Sequence, residues 1–175
     1  MNEVLKAIKE RRSIRKFKSS MPPKEDLEKI IEAGLFAANG MGKQATLTIA
    51  VTNKEIRDKL SKINCKIGGW QDGFDPFYGA PVILIVLAKK DWQNRVYDGS
   101  LVMGNMMLAS HSLGLGSIWI HRAKEEFEMD EWKEFLSELG IEGEWEGIGH
   151  CAVGYIEGDI PKTAPRKENR VFWAE

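Results

Sequence analysis

The sequence has 175 residues, which fits one domain, and its formal net charge of −1 gives no general electrostatic reason to bind nucleic acid. Hydrophobic residues make up 43% of the chain, enough for a substantial core, and two cysteines are too few for a disulfide framework. We therefore expect one domain over residues 1–175, with reduced thiols and a cytoplasmic location. The N-terminus carries acidic residues and no apolar h-region, so it does not resemble a signal peptide.

Apolar spacing predicts four elements in the first half of the chain and five in the second. The first four are a short amphipathic helix at Val4–Ile8, a helix at Leu27–Leu35, a strand at Leu47–Val51 and a helix from Asn53 to Ile63. The next five are a strand at Val82–Leu87, a helix at Tyr97–Leu113, a strand at Gly116–Ile120, a helix at Asp130–Leu139 and a strand at Cys151–Ile156. Glycine-containing loops are predicted at 37–44 and 64–79. Together these elements predict an α+β fold, a sheet flanked by helices.

The stretch from Gly99 to Ile120 contains no Asp, Glu, Lys or Arg and is long enough to span a bilayer. Polar residues and glycines interrupt it, and Gly114 and Gly116 would end a helix before Ile120. We therefore predict a buried helix that runs into a buried strand, and no membrane partner. The helix at Tyr97–Leu113 is apolar nearly all round, so we expect it at the centre of the fold.

A basic cluster follows the first helix. Arg11, Arg12, Ser13 and Arg15 lie together, and no acidic residue occurs from Arg11 to Met21. Guanidinium groups and a hydroxyl suit a phosphate, which Arg binds in a bidentate manner. The alternative is a solvated basic face with no ligand.

Four further features each allow a structural interpretation. Residues 112–117, SLGLGS, do not match a dinucleotide fingerprint, and their glycines fit either a helix C-cap or a surface on which a flat ring could lie. His111, His121 and His150 lack the spacing of a zinc site, so we predict no metal. The acidic residues at 125–131 are typical of a solvated helix start. The aromatic residues of loop 64–79 fit either a satellite core or a pocket for a planar ligand.

Taken together, several segments resemble the short nitroreductase family over nearly the whole chain. They are RRSIRKF at 11–17, AANGMGKQ at 37–44, FYGAPVILIV at 77–86, NMMLASHSLGLGSIWIHRAKE at 105–125, GIGHCAVGY at 147–155 and APRKENRV at 164–171. The long central segment is the most specific of these. The loop at 37–44 departs from the family pattern P-S-x-x-N-x-Q-P, because Gly42 stands where that pattern has its Asn.

The resemblance implies an α+β sandwich with a central, mostly antiparallel sheet, which forms an intertwined homodimer and binds FMN between subunits. It implies that Arg11, Arg12, Ser13 and Arg15 hold the FMN phosphate and ribityl chain together with Arg166 and Lys167. It places Asn39, Gly40, Met41 and Gln44 against the flavin of the other subunit. It also places the backbone of Ile120, His121 and Arg122 along the isoalloxazine ring. Residues 157–175 would be a C-terminal extension that packs on the partner.

The implied activity is electron transfer from NAD(P)H through FMN to a nitro-aromatic, quinone-like or related small acceptor by a ping-pong mechanism. Two alternatives remain open from the sequence. The chain could be a specialised FMN enzyme of the same fold that acts on one metabolite, or an FMN-binding module without turnover. The sequence names no catalytic side chain.

Overall fold

The computed structural model describes residues 2–175, in which helices lie on both faces of one sheet. The helices are α1 Glu3–Glu10, α2 Lys24–Leu35, α3 Lys54–Ile67, α4 Arg95–Ser112, α5 Ala123–Phe127 and α6 Asp130–Glu138. The strands are β1 Thr46–Val51, β2 Val82–Lys89, β3 Gly116–Ile120 and β4 Trp145–Gly154. A single 3-10 turn occupies Gly40–Gly42. This architecture confirms the predicted α+β class.

The strand order is β1-β2-β4-β3, and every neighbouring pair is antiparallel. Strand β2 is apolar and buried from Val82 to Ala88 because both of its faces are covered. Ile83, Ile85 and Leu87 face one core, and Leu84 and Val86 face the other. The sheet is therefore the middle layer of a sandwich, and its two edges are β1 and β3.

Each face of the sheet has its own helical layer. On one face, Leu60 of α3 packs with Phe127 of α5 and Trp132 of α6. On the other face, Ile30 of α2 packs with Met103 and Met106 of α4. These side chains are almost entirely buried, and burying each contributes about 1.5–3 kcal/mol.

Strand β4 and helix α5 differ from the sequence-based prediction. Strand β4 begins at Trp145, not Cys151, and α5 was not predicted. The early part of β4 has glycines where the chain packs most tightly. A Cβ at Gly147 would overlap the Ala123 carbonyl, and one at Gly149 would overlap the Trp119 indole. Ile148 bulges between them. These glycines weaken the strand signal in the sequence but allow α5 and Trp119 to pack directly on the backbone.

Helix α4 is buried on one face and exposed on part of the other, so the prediction of a central, buried helix is confirmed for one face only. Val102, Met103 and Met106 point into the core, whereas Tyr97 and Leu101 are exposed. No helix within residues 2–175 is long and apolar enough to cross a membrane. Helix α3 also extends to Ile67, four residues into the predicted loop.

Candidate functional site

The basic segment after α1 runs beside edge strand β3. Ser13 bridges to Ser117 in parallel, and the Ile14 amide donates to the Ser117 carbonyl at 3.1 Å. Phe17 is buried and bridges to Ile156, which fixes the far end of the segment. Backbone pairing thus holds the predicted phosphate-binding residues against the start of β3.

Two guanidinium nitrogens in this segment are buried without a protein partner. Within residues 2–175, neither Arg11 Nη1 nor Arg12 Nε has a hydrogen-bond partner, although Arg12 Nη1 donates to the carbonyls of Lys9 and Arg11. A buried donor without an acceptor costs about 1–3 kcal/mol. The arrangement therefore suits an added anion. Arg15 is exposed and lies outside this group.

The hollow that Arg11 and Arg12 share with His111 and Ser117 is small, with a volume of about 10 Å³. A water molecule needs roughly that much room, so a phosphate group requires the lining residues to move. Ile160, at the start of the C-terminal segment, is one of those residues. A larger hollow, of about 510 Å³, lies between α6 and the turn before β4 and shares no residue with the predicted site.

The two glycines of segment 112–117 have different structural roles: Gly114 lies at the end of α4, and Gly116 is a site of close packing. Gly114 has a φ of +75°, and its amide donates to His111, which closes the last turn of α4. A Cβ at Gly116 would lie 2.9 Å from the Ile14 side chain and 2.8 Å from Ile156. Protein therefore already covers Gly116, so the interpretation of this position as an open surface for a ring is wrong.

The second part of the predicted site follows β3. Ile120 ends the strand and is buried, His121 is exposed, and Arg122 adopts a left-handed φ of 78° before α5. Arg122 Nε donates to Asn64 Oδ1 at 3.0 Å, and the guanidinium carbon lies 4.3 Å from the centre of the Trp70 ring. These contacts hold an unfavourable backbone conformation in place.

Three side chains that the sequence analysis did not select lie beneath this turn. Asn64, Glu126 and His150 are fully buried, and the interpretation of Glu126 as part of a solvated helix start is wrong. Glu126 Oε2 lies 2.6 Å from His150 Nε2. The relevant signal was helical spacing, because Ala123, Glu126 and Phe127 occupy one face of α5 at positions i, i+3 and i+4.

The aromatic loop places one ring in the core and leaves two others partly exposed. Phe77 is fully buried in the core, whereas Trp70 and Phe74 are 41% and 40% exposed and contact each other. Asp75 anchors the loop by accepting from Arg57, from Ser61 at 2.6 Å and from the Gly79 amide at 2.7 Å. Burial of the Asp75 carboxyl opposes its ionisation. The hydrogen bonds from Arg57, Ser61 and Gly79, together with the charge of Arg57, outweigh burial and lower the pKa of Asp75.

Loop 39–44 lies at the opposite edge of the sheet, before β1. The Gly40 amide donates to Asp98 Oδ1 at 3.0 Å, and the Trp92 indole donates to Asp98 Oδ2 at 2.7 Å. Met41 and Gln44 have positive φ angles, and both are exposed. Three strand spacings, about 14 Å, separate the β1 and β3 edges. One chain therefore does not bring Asn39, Gly40, Met41 and Gln44 together with the basic segment.

The C-terminal segment 157–175 is exposed throughout, including Arg166 and Lys167. Phe172 and Trp173 are each 84% exposed, and Val171 is 72% exposed. The single chain therefore does not fold this apolar end back onto itself.

Both cysteines are buried, and they belong to no metal-binding cluster within residues 2–175. Burial raises the pKa of the Cys151 thiol to about 12, partly offset by the Arg11 charge. Cys65 is also buried, and neither is in a disulfide in the described chain. Residues 2–175 contain no group of three or more His, Cys, Asp or Glu side chains placed to hold a metal ion.

Comparison with known proteins agrees with this geometry. The model of the nitroreductase family matches residues 8–66 and 71–155. A curated relative from Methanothermobacter thermautotrophicus is 33% identical over 121 residues and carries the provisional name NADH dehydrogenase/NAD(P)H nitroreductase. The match covers 67% of this chain and 60% of that relative, so the chain spans less than two thirds of the relative's length.

Two solved structures match the full length of the chain. A nitroreductase with bound FMN from Bacteroides fragilis has a TM-score of 0.91 at 28% identity, and both chains are covered completely. A nitroreductase with bound FMN from Desulfitobacterium hafniense has a TM-score of 0.88 at 29% identity, again with complete coverage of both chains. The predicted resemblance and fold are confirmed, and this chain belongs to the nitroreductase family.

Proposed function

We propose that this protein is an FMN-dependent oxidoreductase that takes electrons from NAD(P)H and passes them to a nitro-aromatic, quinone-like or related small acceptor by a ping-pong mechanism. Bound FMN supplies the hydride and electron transfer, and the protein supplies binding, orientation and electrostatics. Family membership and the FMN named in two full-length structural matches support this cofactor. The names of curated relatives support NAD(P)H as the electron donor.

The buried guanidinium nitrogens of Arg11 and Arg12 are the observation on which the proposal depends most. We assign them, with Ser13, to the FMN phosphate, because a dianion would satisfy both donors by charge-assisted hydrogen bonds. The small hollow beside them must open for this, and displacement of Ile160 with its segment would open it. Arg15, Arg166 and Lys167 are exposed in the single chain, and we assign them to the outer side of the phosphate and ribityl chain.

The isoalloxazine ring belongs, in this proposal, at the other end of β3, beside the backbone of Ile120, His121 and Arg122. Four residue steps along β3 span about 13 Å, so phosphate and ring would bind at separate ends of one strand. Trp70 and Phe74 lie on the same side as Arg122 and give an exposed aromatic surface on which a planar acceptor could pack.

We propose an intertwined homodimer because one chain supplies only part of this site. Asn39, Gly40, Met41 and Gln44 lie at the far edge of the sheet, so they would reach the flavin of a second copy. The single chain also leaves apolar surface uncovered on α4, at Tyr97 and Leu101, and at the end of the C-terminal segment. Residues 157–175 would cross to the partner, which buries Phe172 and Trp173 and frees the hollow at Arg12.

The absorbance spectrum of the purified full-length protein tests the cofactor assignment. We expect a flavin spectrum, and heat-released cofactor that co-migrates with FMN in chromatography. FAD, or no flavin after reconstitution with FMN, would contradict the proposal.

NAD(P)H oxidation, with and without a nitro-aromatic or quinone acceptor, tests the activity. An acceptor-dependent rate with parallel double-reciprocal plots supports the ping-pong oxidoreductase. A protein that binds FMN but shows no turnover would instead be a binding module. The two buried free cysteines fit the reducing cytoplasm in which we place this activity.

A further inference from the structure

Three consecutive carbonyls at the end of β3 all accept hydrogen bonds from the protein interior. His150 Nδ1 lies 3.3 Å from the Ile120 oxygen, and Asn64 Nδ2 donates to the His121 oxygen at 2.9 Å. The Glu126 amide donates to the Arg122 oxygen at 3.0 Å. In a trans peptide, the N–H points opposite to the C=O. The amides of His121, Arg122 and Ala123 therefore point away from the interior.

The side chains beneath this turn are joined to one another. Asn64 Nδ2 also donates to Glu126 Oε1 at 2.8 Å, while Asn64 Oδ1 accepts from Arg122. The two ring nitrogens of His150 face the Ile120 carbonyl and the Glu126 carboxylate, both acceptors. The 2.6 Å contact between His150 Nε2 and Glu126 Oε2 thus joins these two side chains in the interior. We call Asn64, Glu126 and His150 the buried polar network.

Stability alone does not account for this network. Buried ionisable pairs are costly to desolvate, and well-packed apolar residues often replace them with no loss of stability. Through the His150 ring and the Asn64 amide, the network instead fixes the direction of the Ile120 and His121 carbonyls. Asn64 also accepts from the Arg122 side chain, so the network supports the left-handed backbone of Arg122. Its effect is to hold a row of amide donors in one orientation.

We propose that Asn64, Glu126 and His150 are positioning residues that aim the amides of His121 and Arg122 at the flavin ring and thereby set the relative affinity for its oxidised and reduced forms. This inference rests on the proposed function, which places the ring beside these amides. The network touches the ring through the backbone only, so its members are not catalytic residues.

The test uses the full-length protein with Glu126→Gln, which keeps the side-chain length and an oxygen for Asn64 but removes the carboxylate. Glu146→Gln is the matched control, because Glu146 is a buried carboxylate that pairs with Arg95 and Lys124 and does not contact these carbonyls. Asn64→Ala is the second variant, which removes the donor to His121 if Glu126→Gln does not fold.

Two measurements are made on each variant. In FMN-free protein, ¹⁵N relaxation should give order parameters near the rigid value of about 0.85 for the amides of His121 and Arg122, falling below about 0.7 in the network variants. In FMN-loaded protein, the ratio of dissociation constants for oxidised and reduced FMN should change at least tenfold, a shift of about 30 mV in the two-electron potential. The Glu146 variant should change neither quantity.

Each other outcome overturns the proposal in a distinguishable way. If the amides loosen but the ratio is unchanged, the network has a structural role only. If the ratio changes while the amides stay rigid, the effect is electrostatic and not one of position. If wild-type protein does not bind FMN at all, the proposed function fails, and the relaxation data still show whether the network orients the backbone.

Discussion

The two edges of the sheet differ in how complete they are within one chain. At the β3 edge, backbone pairing holds the basic segment, and the buried polar network fixes the turn from Ile120 to Arg122. At the β1 edge, Asp98 accepts a hydrogen bond from the Gly40 amide of loop 39–44, but Met41 and Gln44 of that loop are exposed. The C-terminal segment is also exposed throughout. The residues at the β3 edge are held by contacts within the chain. The exposed residues of loop 39–44 and of segment 157–175 have few such contacts.

The largest effect should come from removing the apolar end of the C-terminal segment. Deleting residues 170–175 should weaken the proposed homodimer by about 4 kcal/mol or more, because burial of Val171, Phe172 and Trp173 against the partner would contribute about 1.5–3 kcal/mol each. This corresponds to roughly a 1,000-fold rise in the dimer dissociation constant, measured by sedimentation equilibrium. Arg170→Ala in the full-length chain is the control and should leave the dimer intact. A monomeric full-length protein that still binds FMN tightly would refute the shared site.

A smaller effect is expected on the β3 side, at the aromatic loop. Asp75→Asn should lower the free energy of unfolding by about 2–3 kcal/mol at pH 7, because Arg57 is buried and loses a charged acceptor. Denaturant titration measures this, and Glu131→Gln, on an exposed ion pair with Lys59, should cost under about 1 kcal/mol. Equal effects of the two substitutions would show that Asp75 does not anchor the loop.

The pH dependence of the Asp75 contribution has a defined sign. The pKa of Asp75 is lowered in the folded state, so its stabilising contribution is fully present above the usual value of 3.8. The contribution is lost as the pH falls through the folded-state pKa. The difference in stability between wild type and Asp75→Asn should therefore be constant from pH 5 to 7, and should shrink only below about pH 3.8. A difference that already shrinks at pH 5 would contradict this.

Substitution of one basic residue beside β3 and one in the C-terminal segment tests whether both regions bind FMN. Arg12→Ala and Arg166→Ala should each weaken FMN binding by about 1.5–3 kcal/mol, since each loses a charge-assisted contact with the phosphate. Titration of FMN-free protein by flavin fluorescence measures the affinity, and circular dichroism checks the fold. Lys24→Ala, on an exposed pair with Glu28, should have no effect. Unchanged affinity in both arginine variants would indicate a solvated basic face.

The smallest effect is expected at the cysteine beneath the basic segment. With a pKa of about 12, Cys151 is ionised in roughly one molecule in ten thousand at pH 8, and it is fully buried. In a Cys65→Ala variant, the remaining thiol should not react with an aromatic disulfide reagent in native protein, and should react fully in denaturant. Rapid labelling of native protein would show that the β3 side opens more readily than the structure indicates.

Much of the fold could be predicted because its local signals agree with its long-range packing. Periodicity located α2, β2 and β3 closely, and the apolar run at Val82–Leu87 identified the central strand. Strand β4 was placed too late because Gly147 and Gly149 carry no apolar side chain. The prediction for Glu126 was wrong because the residue was grouped with its acidic neighbours. Those neighbours are exposed, whereas Glu126 lies on the face of α5 that points to the core.

The sequence by itself determined the fold class, the family and the position of the basic cluster, since these depend on residue type, spacing and order along the chain. Only the tertiary structure decided that Gly116 packs against Ile14, that α4 leaves Tyr97 and Leu101 exposed and that Asn64, Glu126 and His150 meet. Asn64 and His150 are 86 residues apart in numbering and come from α3 and β4. Contacts between such distant elements depend on how the layers pack against one another, and no local pattern records that packing.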